Sequence, residues 1–181
     1  MRALGMIETL SIPKGIEAAD VMLKAADVEM ISAMAVCAGK YVVLMSGEVS
    51  AIKASVEAAV ETCAESLVDS LVIPNIHDDV FKAIVMTAEV ENPSALGIME
   101  TFSLCAAVYA ADAAIKAANI ELIEVRLGRG LGGKSFVTLT GNVADVNAAV
   151  KAAEEIEETQ GMMAGSVVIP SPHADVLQAI Y

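Results

Sequence analysis

The 181-residue sequence predicts an α/β (α+β) chain made of two tandem copies of one βαββαβ unit. Three observations carry this. First, ALGMIETLSIPKGIEAADVMLKAADVEMI, beginning at Ala3, aligns without a gap to ALGIMETFSLCAAVYAADAAIKAANIELI, beginning at Ala95. Glu8 then matches Glu100, Asp20 matches Asp112, Lys24 matches Lys116 and Glu29 matches Glu121. Second, Gly39-Lys40 matches Gly133-Lys134, Gly47 matches Gly141, and IPNIHDDVFKAI matches IPSPHADVLQAI. Third, strand-like and helix-like apolar periods succeed one another in the same order in both copies. The copies span residues 1–88 and 95–181, with a linker near MTAEVENPS, residues 86–94.

Residues 3–10 read as a strand. Ile16, Ala19, Leu23 and Ala26 fall on one helical face, as do Val108, Ala111, Ile115 and Ala118 in the second copy. Residues 29–36 form a second strand and Lys40 to Ser46 a third, joined by a short turn holding Cys37. Gly47 stops that strand. Ile52, Val56, Val60 and Cys63 make the apolar stripe of a second helix. A short strand at Leu71 to Ile73 and a brief helix from Asp78 close the unit. This order is the split-βαβ, ferredoxin-like plan, with helices on one face of an antiparallel-containing sheet. Two such units must bury their sheet edges against each other or against other chains.

Composition narrows the function. Apolar residues make up 56% and aromatics only 3%, and alanine abounds, so thin, tightly packed layers with few large pockets are expected. A net charge of -13 argues against nucleic acid, whose phosphates need a basic surface. The opening MRALGMIETLSIPKG has no charged-then-apolar signal pattern, so no export is expected. No uncharged apolar run reaches the roughly 18 residues of a membrane span. Cys37, Cys63 and Cys105 are far apart and odd in number, which reads as reduced thiols in the cytosol.

Several features could carry chemistry. GRGLGGKS, residues 128–135, fits the phosphate-loop pattern letter for letter. That mechanism needs a helix to start at the Lys-Ser; the β-rich SFVTLTG comes next instead, so the segment is read as a glycine-rich hairpin turn. His77 and His173 take equivalent places after Ile-Pro, without ligands at metal spacing, and are read as caps of the terminal helices. EEIEE, residues 154–158, is read as a solvated helix face, and the ten methionines as core filler. Asp20 with Lys24, and Asp112 with Lys116, are spaced for intrahelical pairs worth a few tenths of a kcal/mol. Cys63, on an apolar stripe, and Cys105, at a helix start, are structural, whereas Cys37 sits on a hairpin tip beside Gly39 and Lys40. Its counterpart region is Arg129-Gly130, so the thiol is no legacy of the duplication.

The repeated pattern resembles the bacterial microcompartment domain, in the tandem class of shell proteins. ALGMIET and ALGIMET, AADVMLKAADV and AADAAIKAANI, and the IPxxH segment near each end carry the likeness. It covers essentially the whole chain, twice. The Val-Cys-Ala-Gly-Lys turn is similar to that of the propanediol-utilisation branch whose members carry an iron–sulfur cluster, where proline stands after the cysteine that here precedes Ala38.

The resemblance implies a non-enzymatic, flat homotrimer, pseudo-hexameric because six domains surround one axis, tiling into a microcompartment shell in the cytoplasm. It implies that Lys24 and Lys116 lie at tile edges and contact neighbouring shell proteins. The turns between second and third strands would ring a central pore: Ala35, Val36, Cys37, Ala38, Gly39 and Lys40 from one copy, Arg129, Gly130 and Leu131 from the other. Three Cys37 thiolates, one per chain, would hold one 4Fe–4S cluster, whose fourth iron takes water, a small ligand or a partner group. Lys40 nearby would favour the thiolate and offset cluster charge. Such a centre would pass electrons across the shell, to an encapsulated redox enzyme for example, or deliver a cluster. The alternatives are a tile with a plain small-metabolite pore, and a free cytosolic ligand-sensing protein, for which no pocket residues can be named.

Overall fold

The computed structural model describes residues 3–90 and 93–180. Glu91 and Asn92 of the expected linker, and residues 1, 2 and 181 at the expected outer bounds, lie outside the described residues. In chain order the first copy gives β1 (Ala3–Thr9), α1 (Ile12–Ala25), β2 (Val28–Val36), β3 (Lys40–Gly47), α2 (Val49–Cys63), β4 (Leu67–Ile73) and α3 (Asp78–Ile84). The second gives β5 (Ala95–Thr101), α4 (Leu104–Ala117), β6 (Ile120–Leu127), β7 (Ser135–Gly141), α5 (Val143–Glu155), β8 (Met163–Ile169) and α6 (Ala174–Ile180). The elements and their order are those the repeat predicts, and β4 is longer than expected because a 3-10 turn at Ala64–Ser66 leads straight into it.

Each sheet is four-stranded and antiparallel, ordered β2-β3-β1-β4 and β6-β7-β5-β8. The first strand of each copy is therefore central, which is why ALGMIET is buried along its whole length. Side chains alternate across it. Ala3 and Ile7 join Ala18, Met22, Val43, Met45, Ile52 and Val56 in the core beneath the helices. Leu4, Met6 and Glu8 occupy the opposite face. Ser11 and Ser103 cap α1 and α4, their hydroxyls accepting from the N–H groups of Lys14 and Ala106.

The apolar face expected on α1 is corrected by the structure. Ile16 and Leu23 are 54% and 43% exposed, while Gly15, Ala18, Ala19 and Met22 are the buried set. Small residues face the sheet because the helix approaches it closely: a Cβ on Gly15 would lie 2.6 Å from Tyr41 Cβ. On α4 the expected stripe is half right, with Val108 and Ala111 fully buried. That helix is covered on a further side by α3, which packs on β6 and α4 and buries its own Val80 and Ala83. The methionines are also divided: Met6, Met22, Met45 and Met99 are core, while Met30, Met86 and Met162 are exposed.

Two packing units result, and they are not the two repeats. One comprises residues 3–76 with Gly128–Gly133; the other comprises His77–Leu127 with residues 134–180. The first copy's terminal helix thus belongs to the second unit, and the second copy's glycine-rich loop belongs to the first. No helix among the described residues is long and apolar enough to cross a membrane.

Gly15→Ala is expected to lower stability by about 1–3 kcal/mol through overpacking against Tyr41, read as a reduced midpoint in urea unfolding. Ile16→Ala, on the exposed face, should leave the midpoint of the isolated chain nearly unchanged.

Candidate functional site

The ladder between β2 and β3 ends with Val36 opposite Lys40, leaving Cys37, Ala38 and Gly39 as a three-residue turn. Gly39 takes a φ of 79°, the left-handed conformation that such a turn needs at one position and that glycine adopts without steric cost. The Cys37–Ala38 peptide bond is cis. Within the same packing unit the loop Gly128–Gly133 meets this turn. Cys37 N–H donates to Gly128 O at 2.9 Å, and Gly130 N–H donates to Cys37 Sγ at 3.2 Å. Arg129 Nη2 reaches back to Met34 Sδ at 2.8 Å. Cys37 is thereby held at its backbone and at its sulfur, and the residue is half-buried.

Of the other residues expected around a pore, Ala35, Ala38, Gly39, Arg129 and Gly130 are exposed or half-exposed, and Lys40 and Leu131 are half-buried. Val36 is buried, so its side chain is turned into the unit. The segment matching the phosphate-loop pattern joins β6 to β7 and starts no helix, as the β-rich run after it predicts.

Lys40 has a partner that its sequence position does not reveal. Its ammonium donates to Glu8 Oε1 at 2.6 Å, where Glu8 is 0% and Lys40 16% exposed. The expected help to the Cys37 thiolate is thus redirected, because this cation neutralises a buried carboxylate. The second copy repeats the pair, Lys134 to Glu100 at 2.6 Å, at 39% and 40% exposure. Both acids and both lysines stand out in the repeat alignment; the hidden part is that each acid, on the central strand, pairs across the ladder with the residue two positions after its lysine.

Asp20 and Lys24 pair on the surface at 2.6 Å, and Asp112 and Lys116 at 2.5 Å. Asp112 does more than its counterpart. It is nearly buried, and its Oδ1 accepts the His77 N–H at 2.9 Å, anchoring the entry to α3. His77 and His173 use Nδ1 to accept the N–H of Asp79 and Asp175, at 3.3 and 3.2 Å, in the capping role expected of both. Cys63 and Cys105 are buried, and burial pushes the Cys63 thiol up from its ordinary value. No group of three or more His, Cys, Asp or Glu able to hold a metal exists among the described residues of one chain. One cluster had no signal in the repeat: Glu124 and Arg126 form a two-bonded ion pair at 2.6 and 2.9 Å, and the guanidinium stacks 4.9 Å above Phe136.

Lys40→Met should lower stability by about 3–5 kcal/mol, because it strips the countercharge from a buried carboxylate. Lys134→Met should cost a dilute, unassembled chain only about 0–1 kcal/mol, as its pair is half-exposed. Paired urea titrations check both. With a neutral alkylating reagent Cys37 should react well before Cys63 and Cys105, since it alone is accessible and Cys63 is held protonated; peptide mapping at successive times checks the order.

The family model described as the BMC domain matches residues 3–76 and again 95–172. The bacterial microcompartment shell protein PduT of Citrobacter freundii is 41% identical over 172 residues, 95% of this chain and 94% of that protein. The carboxysome assembly protein CcmO of Synechococcus elongatus is 32% identical over 98% of this chain and 68% of its own length. The crystal structure of a microcompartment protein from Desulfitobacterium hafniense superposes with a TM-score of 0.92 at 46% identity, over 98% of this chain and 99% of that one. With both copies matched by one domain model, and with relatives alike over nearly their full length, this chain belongs to the BMC-domain family as a tandem-domain structural shell protein of bacterial microcompartments.

Proposed function

We propose that the chain forms a homotrimeric shell tile, six sheet units around one axis, in which Cys37 from three copies holds a single 4Fe–4S cluster. One asymmetry between the copies supports the assembly. In the second unit α3 covers β6 and α4, and Asp112 takes the His77 N–H. The equivalent surface of the first unit, with Ile16, Leu23 and Met30, is exposed, and the equivalent helix α6 buries none of its residues. Val176 on α6 corresponds to the fully buried Val80 on α3. Each chain therefore carries half of a contact whose other half lies on the next chain. Such head-to-tail contacts close into rings when the rotation permits, and each Val or Leu buried contributes about 1.5–3 kcal/mol.

A threefold axis supplies the second and third thiols that one chain lacks. Cys37 fits an iron–sulfur ligand because its sulfur is accessible on a turn and already accepts one backbone N–H, the kind of bond that tunes cluster potentials. Once bound, the cluster would provide one-electron exchange between lumen and cytoplasm, or be handed on to a partner such as an encapsulated redox enzyme. No catalytic turnover belongs to this reading. Lys24 and Lys116 serve as tile-edge contacts to other shell proteins; Lys24 is the more available, being largely exposed beyond its pair with Asp20. A second reading, a pore that only passes small metabolites, draws on the small residues Ala35, Ala38, Gly39 and Gly130 in these turns.

Anaerobically purified protein should contain iron and acid-labile sulfide, absorb in the visible, and give an EPR signal on reduction, with Cys37→Ser losing all of these while keeping its mass. Colourless wild-type protein that resists reconstitution would sink the cluster and leave the metabolite pore. Sedimentation should give three chains per particle, and Val176→Asp should shift it towards single chains. Lys24→Ala should abolish sheets by electron microscopy while sparing trimers; intact sheets would refute the edge assignment.

A further inference from the structure

We infer that the Glu100–Lys134 ion pair is the seat for residues 37–39 of a second copy of this chain, and so a positioning pair for the neighbour's Cys37. The inference rests on the homotrimer reading and gives that assembly a specific contact.

The first unit holds the template. There the Glu8–Lys40 pair lies under the loop Gly128–Gly133: a Cβ on Gly133 would be 3.8 Å from Lys40 Nζ and 3.7 Å from Cys37 O. The loop is tied down by the two hydrogen bonds to Cys37, and Glu8 is wholly buried. The repeat makes Gly39 the counterpart of Gly133, and Lys134 the counterpart of Lys40. In the second unit the ion pair has the same length but stands half-exposed. A Cβ on Gly39, for its part, would meet nothing within 4 Å. Both halves of the contact are present in each chain: Gly39 at the end of the turn is uncovered within it, and the Lys134–Glu100 pair is half-exposed.

The surroundings of the open pair point to the same occupant. Beside Glu100 a cavity of about 480 Å³ opens on the sheet face opposite the core, with Ile98, Phe136, Thr138 and Val167 in its walls and Ala179 and Ile180 of α6 along one side. The counterparts of these four across the same ladder positions, Met6, Val42, Leu44 and Leu71, are all buried. Thr138 Oγ1 is already buried without a hydrogen-bond partner among the described residues, an acceptor and donor that a seated backbone can satisfy. The charges in the cavity are mutually compensated, Glu100 by Lys134 and Glu124 by Arg126, so it offers no net charge to select a small ion. A small-residue turn suits it: Cys37-Ala38-Gly39 of the next copy, in which the Cys37 N–H is taken by Gly128 and Gly39 stands uncovered.

The test is amine acetylation of the intact wild-type chain, read residue by residue by mass spectrometry on the assembled fraction. Lys134 should label at the slow rate of Lys40, at least about tenfold below the exposed Lys151, since a covered amine reacts only through local opening. Assembled protein in which Lys134 labels like Lys151 overturns the inference and leaves the homotrimer standing. A chain that sediments as a monomer at every concentration overturns both. As a second measurement, Lys134→Met should raise the concentration needed for assembly about tenfold, a loss of roughly 1.4 kcal/mol, with Lys134→Arg restoring it. A Lys134→Met chain that assembles like wild type also overturns the inference.

Discussion

A carboxylate with no exposed surface is the constraint on which the hairpin end of the first sheet depends. Glu8 stands on the central strand, on the face away from the helices, and its charge is tolerable there because Lys40 meets it at 2.6 Å. That ion pair lies at the first residue of β3, directly after the three-residue turn. Gly133 lies over the same ammonium, so the long glycine-rich loop is held by the same point. From that loop come the two hydrogen bonds that grip Cys37. The placement of one sulfur atom is thus referred back, through backbone, to a buried charge on a neighbouring strand.

Much of this was legible from the sequence, and the reasons differ by feature. The duplication, the element order and the hairpin nature of GRGLGGKS were readable because they depend on local pattern and on the residues immediately downstream. The histidine caps were readable for the same reason. The stripe on α1 was not, because alanine and glycine can face a sheet as readily as isoleucine when the layers are close. Periodicity gives the period of a helix and leaves its rotation to packing. The Glu–Lys pairs and the Asp112 anchor were hidden because they join residues 32, 34 and 35 positions apart, which only tertiary folding brings together. The thiol was singled out by its position on a tip; its hydrogen-bonded partner, Gly130, has no side chain by which to announce itself.

The two copies keep one scaffold and diverge in chemistry on a single face. Where the first has Ser32, Met34, Val42 and Leu44 across the ladder, the second has Glu124, Arg126, Phe136 and Thr138. In the first set Val42 and Leu44 are buried and Ser32 and Met34 half-buried. The second is polar and ion-paired, with Glu124 and Thr138 buried and Arg126 and Phe136 half-buried beside the cavity.

The packing units trade pieces, and this has a consequence for the gene. The chain crosses from one unit to the other after Ile76, after Leu127 and after Gly133, whereas the described residues of the linker between the repeats lie inside the second unit. A break in that linker, by a protease or by splitting the reading frame, separates the repeats without separating the units. Each fragment would retain a helix or a loop that belongs to the other's packing. The fusion of two ancestral copies is for this reason hard to undo: single-domain descendants would have to recover by association what the tandem chain holds by covalent threading.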